Sequence, residues 1–452
     1  MAEGLSLGVN WILILSLAMF MSAENYGIIS LIIAIESFLM PIMMFGQDRT
    51  ILRFYRKNEF ENVNVILISF IIVLFAFFLF FVAGFSNLSI NYLHRINIDS
   101  FKFILMGSIF LLVLIKMYLA ILRVEGNGSS YTTHRLGHQI LRALFVLILV
   151  FVFNEAEYYV LASFLSSLLF VLLQSRGWIK RFKGVVNRII LKRMMLFGWP
   201  LIFHAMSAIG LTYIDRFMIE YFLGVSAVGN YSLAYMLGSG ISLIYGLIAI
   251  YFEPFIYNKG VNSDSEIWLG IYTKISLILV SLGGVATLAI SAIMFKYFFD
   301  DGYNEAYEIV PLILVAHILN SIYFQSNYRL AVIEKTGAIA TGSFIAVMLN
   351  IVLNLWLIPE LGIKGAALAT FFSYMLLSVY LYLLSCHKSA LKIKEQKNFV
   401  LYLMVELLLL VSILIDTSYM YYVILLLLIA LTSINIYSHD RKIIQKYILK
   451  NI

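Results

Sequence analysis

Apolar runs of about 18 to 25 residues recur along the whole 452-residue chain, with no long polar insertion between them. Each run can cross ~30 Å of hydrocarbon as a helix, and inside hydrocarbon the backbone has to satisfy its own hydrogen bonds. The expected fold is therefore an all-α polytopic membrane protein. Marking the runs gives about fourteen spans: 5-22, 28-45, 63-85, 101-122, 138-153, 158-175, 194-219, 228-256, 267-298, 309-330, 338-358, 363-385, 398-416 and 419-438. Charged residues make up 13% of the chain, about half the share usual in soluble domains. The first run begins almost at Met1 without a basic leader or a clear cleavage site, so it reads as a retained span. Cys386 is the sole cysteine, which excludes an intramolecular disulfide and a cysteine metal cluster.

The basic residues orient the bundle. One alternate set of loops holds Arg49, Arg53, Arg56 and Lys57, then Arg123 and Arg135, the 176–193 cluster, Lys259, Lys335, Lys388 to Lys397, and the residues after the last span. The opposite set has only Arg95 and Lys364. Because basic residues near span ends resist translocation, both termini are expected in the cytoplasm, with an even number of spans. The net charge of +7 is dispersed in these short clusters, so no nucleic-acid partner is expected and membrane lipids are.

The densest basic stretch, "SRGWIKRFKGVVNRIILKRMM", divides the chain in two. It reads as a cytoplasmic amphipathic connector lying on anionic headgroups. "SAENYGIISL" (Ser22 to Leu31) before it resembles "SAVGNYSLAY" (Ser226 to Tyr235) after it, each between the first and second spans of its half. The expected organisation is a six-span lobe at 1–175, the connector at 176–193, a second six-span lobe at 194–385, and two extra spans with a cytoplasmic tail at 386–452. Repeats of this kind are a usual build of alternating-access transporters, with the site between the repeats.

Ionisable groups inside spans are costly and mark functional positions by default. Glu36 lies near the middle of the second span, too deep to snorkel, and is either a coupling or cavity group or a hydrogen-bonded structural carboxyl. His204 and His317 are similarly deep; each is a cavity candidate or a packed neutral ring. His317, Asn320, Ser321, Phe324, Asn327 and Tyr328 share a helical face that should line a wet cavity or a helix interface. Lys116, Arg142 and Lys274 sit one to two turns inside their spans. They either snorkel or form, with Arg216 and Arg53, an inward-facing basic cavity able to neutralise phosphate. Asp215 and Arg216 are adjacent near the end of the seventh span, with Glu220 one turn on. Neighbouring residues point about 100° apart on a helix, so one of the pair is expected to face the bundle. There is no phosphate-cradling Gly-Lys-Ser/Thr loop, nucleophile elbow or metal-ligand spacing. No catalytic residue, metal or cofactor is expected, and a proton or sodium gradient is the energy source left open.

Taken together, "AENYG", "GQDRTILRFYRKNE" (Gly46 to Glu59), "GWPLIFHAMSAIGLTYIDRFMI" (Gly198 to Ile219), "GVSAVGNYSLAY" and "LGIKGAALATFFSY" (Leu361 to Tyr374) resemble the Wzx-type polysaccharide flippases of the multidrug/oligosaccharidyl-lipid/polysaccharide exporter superfamily. The resemblance covers essentially the whole chain. It implies a MATE-like bundle of two six-helix lobes around an alternately opening cavity in a bacterial cytoplasmic membrane. The implied substrate is an undecaprenyl-pyrophosphate-linked oligosaccharide for O-antigen or capsule, met by cationic groups such as Arg216, Lys116, Arg142 and Lys274. Cooperation with a polysaccharide polymerase and a chain-length regulator is implied as well. The chain lacks a basic N-terminal tail and any Arg in the first span, so a role for a basic residue there does not carry over. A lipid II flippase and a MATE-type drug/cation antiporter share the frame. The antiporter would favour cavity carboxylates, and the first span has none.

Overall fold

In the computed structural model of the chain, the described residues are 2–55, 64–83, 99–182, 184–257, 263–333 and 335–388. They form fourteen helices: α1 (Ala2–Phe20), α2 (Ala23–Met44), the short α3 (Gln47–Phe54), α4 (Val65–Ala83), α5 (Lys102–Val124), α6 (Gly128–Phe153), α7 (Tyr158–Arg181), α8 (Arg188–Leu223), α9 (Val225–Ser239), α10 (Ile241–Tyr257), α11 (Ser263–Tyr297), α12 (Asn304–Val332), α13 (Thr336–Leu361) and α14 (Ile363–Lys388).

The protein is a multi-span membrane protein, and the first twelve expected spans all fall on these helices. Among the described residues, ten helical stretches are long and apolar enough to cross a bilayer, α1 supplies a shorter apolar stretch (Gly4–Phe20), and α9 with α10 passes as one span bent by 42°. The bend falls at Gly238-Ser239-Gly240, small residues that hold a helix poorly. The expected spans 398-416 and 419-438, the loop 86-98 and the side chains of His204 and Lys274 lie outside the described residues.

The exposed face of these helices is apolar, the reverse of a water-soluble bundle. Along α4 the exposed residues are Ile71, Leu74, Phe75, Phe78, Leu79 and Val82, the i, i+3, i+4, i+7 stripe of one helix face. Ile68 and Ile72 point the other way, into a core with Phe54, Val65, Ile190 and Met194.

The stretch 176–193 is not a separate surface helix. α7 continues to Arg181 and α8 starts at Arg188, leaving only the six residues 182–187, with Gly184 among them, between two spanning helices. Lys and Arg are good helix formers whose long stems reach to the interface, so basic clusters extend the spans at no cost. The join is tied down: Asn64 donates from its side chain to the Arg181 carbonyl (2.7 Å) and from its backbone to Val185 (3.1 Å). Arg181 forks onto Glu125 at the end of α5 (2.9 and 2.7 Å), and Tyr55 donates to the same carboxylate (3.1 Å).

The chain divides into two compact units, Met1–Phe217 with Gly224–Gly229, and Met218–Leu223 with Asn230–Ile452. In the first, α7 packs on α5 and α6, α6 on α1, and α5 on α2 and α3. In the second, α14 packs on α12 and α13, and α11 on α10 and α12. The second unit is pinned by Asn230, whose carboxamide donates to the Gly302 carbonyl (2.9 Å) and accepts from the Ala306 N–H (3.2 Å). A side chain of α9 thereby caps the otherwise orphaned start of α12.

Candidate functional site

The site begins where α2 ends. Phe45 (φ 48°) and Gly46 (φ 67°) are consecutive left-handed residues that turn the chain sharply into α3. A Cβ on Gly46 would lie 2.7 Å from the Gly198 carbonyl oxygen, so the turn can seat against α8 only as glycine. α3 then buries Gln47, Thr50, Ile51 and Phe54, again one helical face, and leaves Arg49 and Arg53 outward.

Between the end of α2, the first turn of α3, α5 and the Phe197–Ile209 stretch of α8 lies a cavity of about 580 Å³, within the usual range for a ligand site. Its walls are apolar, supplied by Met40, Pro41, Met44, Phe197, Leu201, Ile202, Ala205, Ala208 and Ile209. Three charged residues enter it: Lys116, Arg49 and Asp48. Lys116 is the only exposed residue between Leu111 and Leu122, a stretch otherwise buried or half-buried, and it opens onto this space. Arg49 is exposed, Asp48 about half exposed, and the two are 3.8 Å apart, a loose pair of little energetic weight. Arg53 lays its guanidinium over the ring of Phe197, 4.5 Å from the centroid, a cation–π contact with a wall residue. A site with two cations, one acid and a greasy wall suits an anion carried on an apolar tail.

Two further candidates meet each other elsewhere. Arg142 donates to Glu36 at 2.7 Å and to the Tyr159 hydroxyl at 2.8 Å. The other Glu36 oxygen accepts from Ser108 and Ser163, both at 3.2 Å. A single buried node thus joins α2, α5, α6 and α7, and Arg142 is not among the residues lining the cavity. Ser108, Ser163 and Tyr159 have no signature in sequence, because hydroxyls are common in membrane helices.

Asp215 and Arg216 are both buried, 1% and 6% exposed, so the expectation that only one faces the bundle is corrected. The 100° rule fixes where Cβ points, not where a long side chain ends. Arg216 folds back along α8 to the Thr212 carbonyl and to Asp215 (3.4 Å), reaches Ser30 on α2 with Nε (3.0 Å), and covers the Tyr213 ring. It too lies outside the cavity lining.

In the second unit His317 sits between the rings of Tyr235 and Tyr374, 5.2 and 5.5 Å away. Neither of its nitrogens has a hydrogen-bond partner among the described residues. Asn320 donates to the Tyr245 hydroxyl (3.0 Å), Phe324 packs at a tilt against Tyr245, and Tyr328 meets Tyr272 edge to face. The polar face of α12 is therefore a helix interface.

A family described as "Polysaccharide biosynthesis protein" matches residues 1–252. The chain belongs to that family. The matched part of this polysaccharide biosynthesis protein includes every residue lining the cavity, the Glu36–Arg142 node and Arg216. The chain is 21% identical over 395 residues to the uncharacterized membrane protein MJ1068 of Methanocaldococcus jannaschii, covering 79% of this chain and 76% of that one. Among solved structures it is similar to the lipid II flippase MurJ in an inward closed conformation, with TM-score 0.68, 17% identity and 98% of each chain covered. It is also similar to an inward-facing multidrug resistance MATE family transporter of the MOP superfamily, with TM-score 0.67, 16% identity, and 84% of this chain and 94% of that one covered. The fold is that of the MurJ and MATE transporters; at such identities the likeness does not extend to what is carried.

Proposed function

We propose that this polysaccharide biosynthesis protein is a flippase. It moves undecaprenyl-diphosphate-linked oligosaccharide repeat units across the bacterial cytoplasmic membrane by alternating access, for O-antigen or capsule synthesis by a downstream polymerase and chain-length regulator. The observation that carries the reading is Lys116, projecting from a buried stretch of α5 into an apolar-walled cavity beside Arg49. Lys and Arg neutralise the diphosphate, while Met40, Leu201 and their neighbours accept the first isoprene units. The basic loops of the sequence assign the α3 end of the cavity to the cytoplasm, where such lipids are assembled. Glu36 already spends both oxygens on Arg142, Ser108 and Ser163, which favours an anchoring role over ion coupling. A drug/cation antiporter of MATE type is disfavoured because cations outnumber acids in the cavity.

The test is a strain lacking the gene. Mass spectrometry of its membrane lipids is expected to show a complete undecaprenyl-diphosphate repeat unit accumulating, with cationic-dye tolerance unchanged. Normal lipids with raised dye sensitivity would move the protein to the antiporter reading. Complementation with Lys116→Ala should restore surface polysaccharide about tenfold less well than wild type at equal protein level, the effect of losing one charge-assisted contact.

A further inference from the structure

We propose that Asp48 is a built-in counter-anion of the cavity, displaced from the cations when the substrate phosphate enters and returning to help release it. The inference rests on the flippase reading. Among the described residues that line the cavity, Asp48 is the only acid, and it shares the cavity with Lys116 and Arg49. Its carboxylate is 3.8 Å from Arg49 Nε, with the Arg49 side chain largely exposed and that of Asp48 about half exposed, so it is held loosely enough to swing. It sits in the first turn of α3, where the helix dipole tolerates negative charge.

A carboxylate and a phosphate oxygen are the same kind of acceptor for Lys and Arg. With the cavity empty, Asp48 compensates part of the positive charge. With a phosphate bound, the two anions repel at a distance set by one cavity. A transporter needs that repulsion, because a purely cationic site would hold its cargo; entry has to be favourable and exit still possible. Asp48 therefore sets affinity and turnover in opposite directions.

The experiment uses the purified full-length protein in detergent, titrated with undecaprenyl diphosphate and separately with inorganic pyrophosphate. Asp48→Asn, nearly isosteric and at an exposed position, should tighten binding about tenfold, a gain expected for removing one like charge at partly screened range. The gain should shrink at high salt, and Asp48→Glu should bind like wild type. Lipid flipping in proteoliposomes should slow in Asp48→Asn although binding improves. A gain in both titrations supports the proposal with the head group read by itself, and a gain confined to the lipid supports it with the tail required. Equal or weaker binding by Asp48→Asn, with wild-type binding intact and melting temperatures matched, overturns the counter-anion and leaves the flippase reading standing. Failure of the wild type to bind undecaprenyl diphosphate overturns both.

Discussion

Replacing Glu36 by Ala is expected to cost about 3–5 kcal/mol of stability, and Arg142→Ala a similar amount, because each leaves an uncompensated buried partner. Oε1 of Glu36 accepts from Ser108 and Ser163 and Oε2 from Arg142, so one truncation takes a partner from polar groups on three other helices. The guanidinium left behind has no easy escape: its side chain is 14% exposed, and its Nε lacks a partner among the described residues even in the intact node. The double variant Glu36→Leu with Arg142→Leu should recover most of the loss, since both desolvation costs disappear together. Melting of the detergent-solubilised protein across this cycle measures the coupling. Single variants within about 1 kcal/mol of wild type, or a double variant that is merely additive, would mean that water reaches the pair. The same variants separate anchor from coupler: if Glu36 is structural, a folded double-Leu protein should keep whatever dependence on a proton or sodium gradient the wild type shows in a transport assay.

What the sequence made legible follows from what each signal depends on. Span length and hydropathy are local, and the bilayer imposes them, so the first twelve spans could be read directly. The Glu36–Arg142 pair is not local. Its members are 106 residues apart, and Arg142, expected one to two turns inside a span starting at 138, is in the middle of the longer α6 (Gly128–Phe153), whose packing with α7 on their neighbours brings the pair to one depth. Lys116 was legible as an intramembrane base, whereas Asp48 and Arg49 were not, because "QDRTILRF" counted as loop. Its buried positions Gln47, Thr50, Ile51 and Phe54 carry a helical period over eight residues, and that is the signal that could have placed α3 against the cavity. The basic stretch 176–193 misled in the opposite sense: charge density suggested a surface connector, while its residues up to Arg181 continue α7, the Lys and Arg among them being good helix formers. For Asp215-Arg216, helical geometry constrained the backbone direction and said nothing of a guanidinium that can turn back one full turn to Thr212.

Gly229→Ala and Gly27→Ala are each expected to destabilise the first unit by about 3 kcal/mol or more, toward or beyond the upper end of overpacking costs. A Cβ on Gly229 would run into the carbonyl of Ala23, and one on Gly27 into the carbonyl of Val225. These obstacles are backbone atoms of α2 and α9, which cannot rotate aside as a side chain does. The contact is reciprocal, Ala23 with Gly229 and Gly27 with Val225, and each helix presents its two residues four apart, one turn of the same face. Without a hydrophobic drive between helices in lipid, close backbone approach at small residues is what holds such a crossing. The touching residues lie in or beside the two similar stretches, "SAENYG" at 22–27 and "SAVGNY" at 226–231. Gly8→Ala and Gly246→Ala serve as controls, because an added Cβ meets nothing within 4 Å at either position; both should be neutral or gain about 0.5–1 kcal/mol. Thermal melting in detergent reads all four, and a Gly229→Ala protein that melts with the controls would mean that the two backbones can move apart at little cost. Ala23→Gly should fail to rescue Gly229→Ala, because the atom in the way is the carbonyl oxygen of residue 23, which every side chain leaves in place.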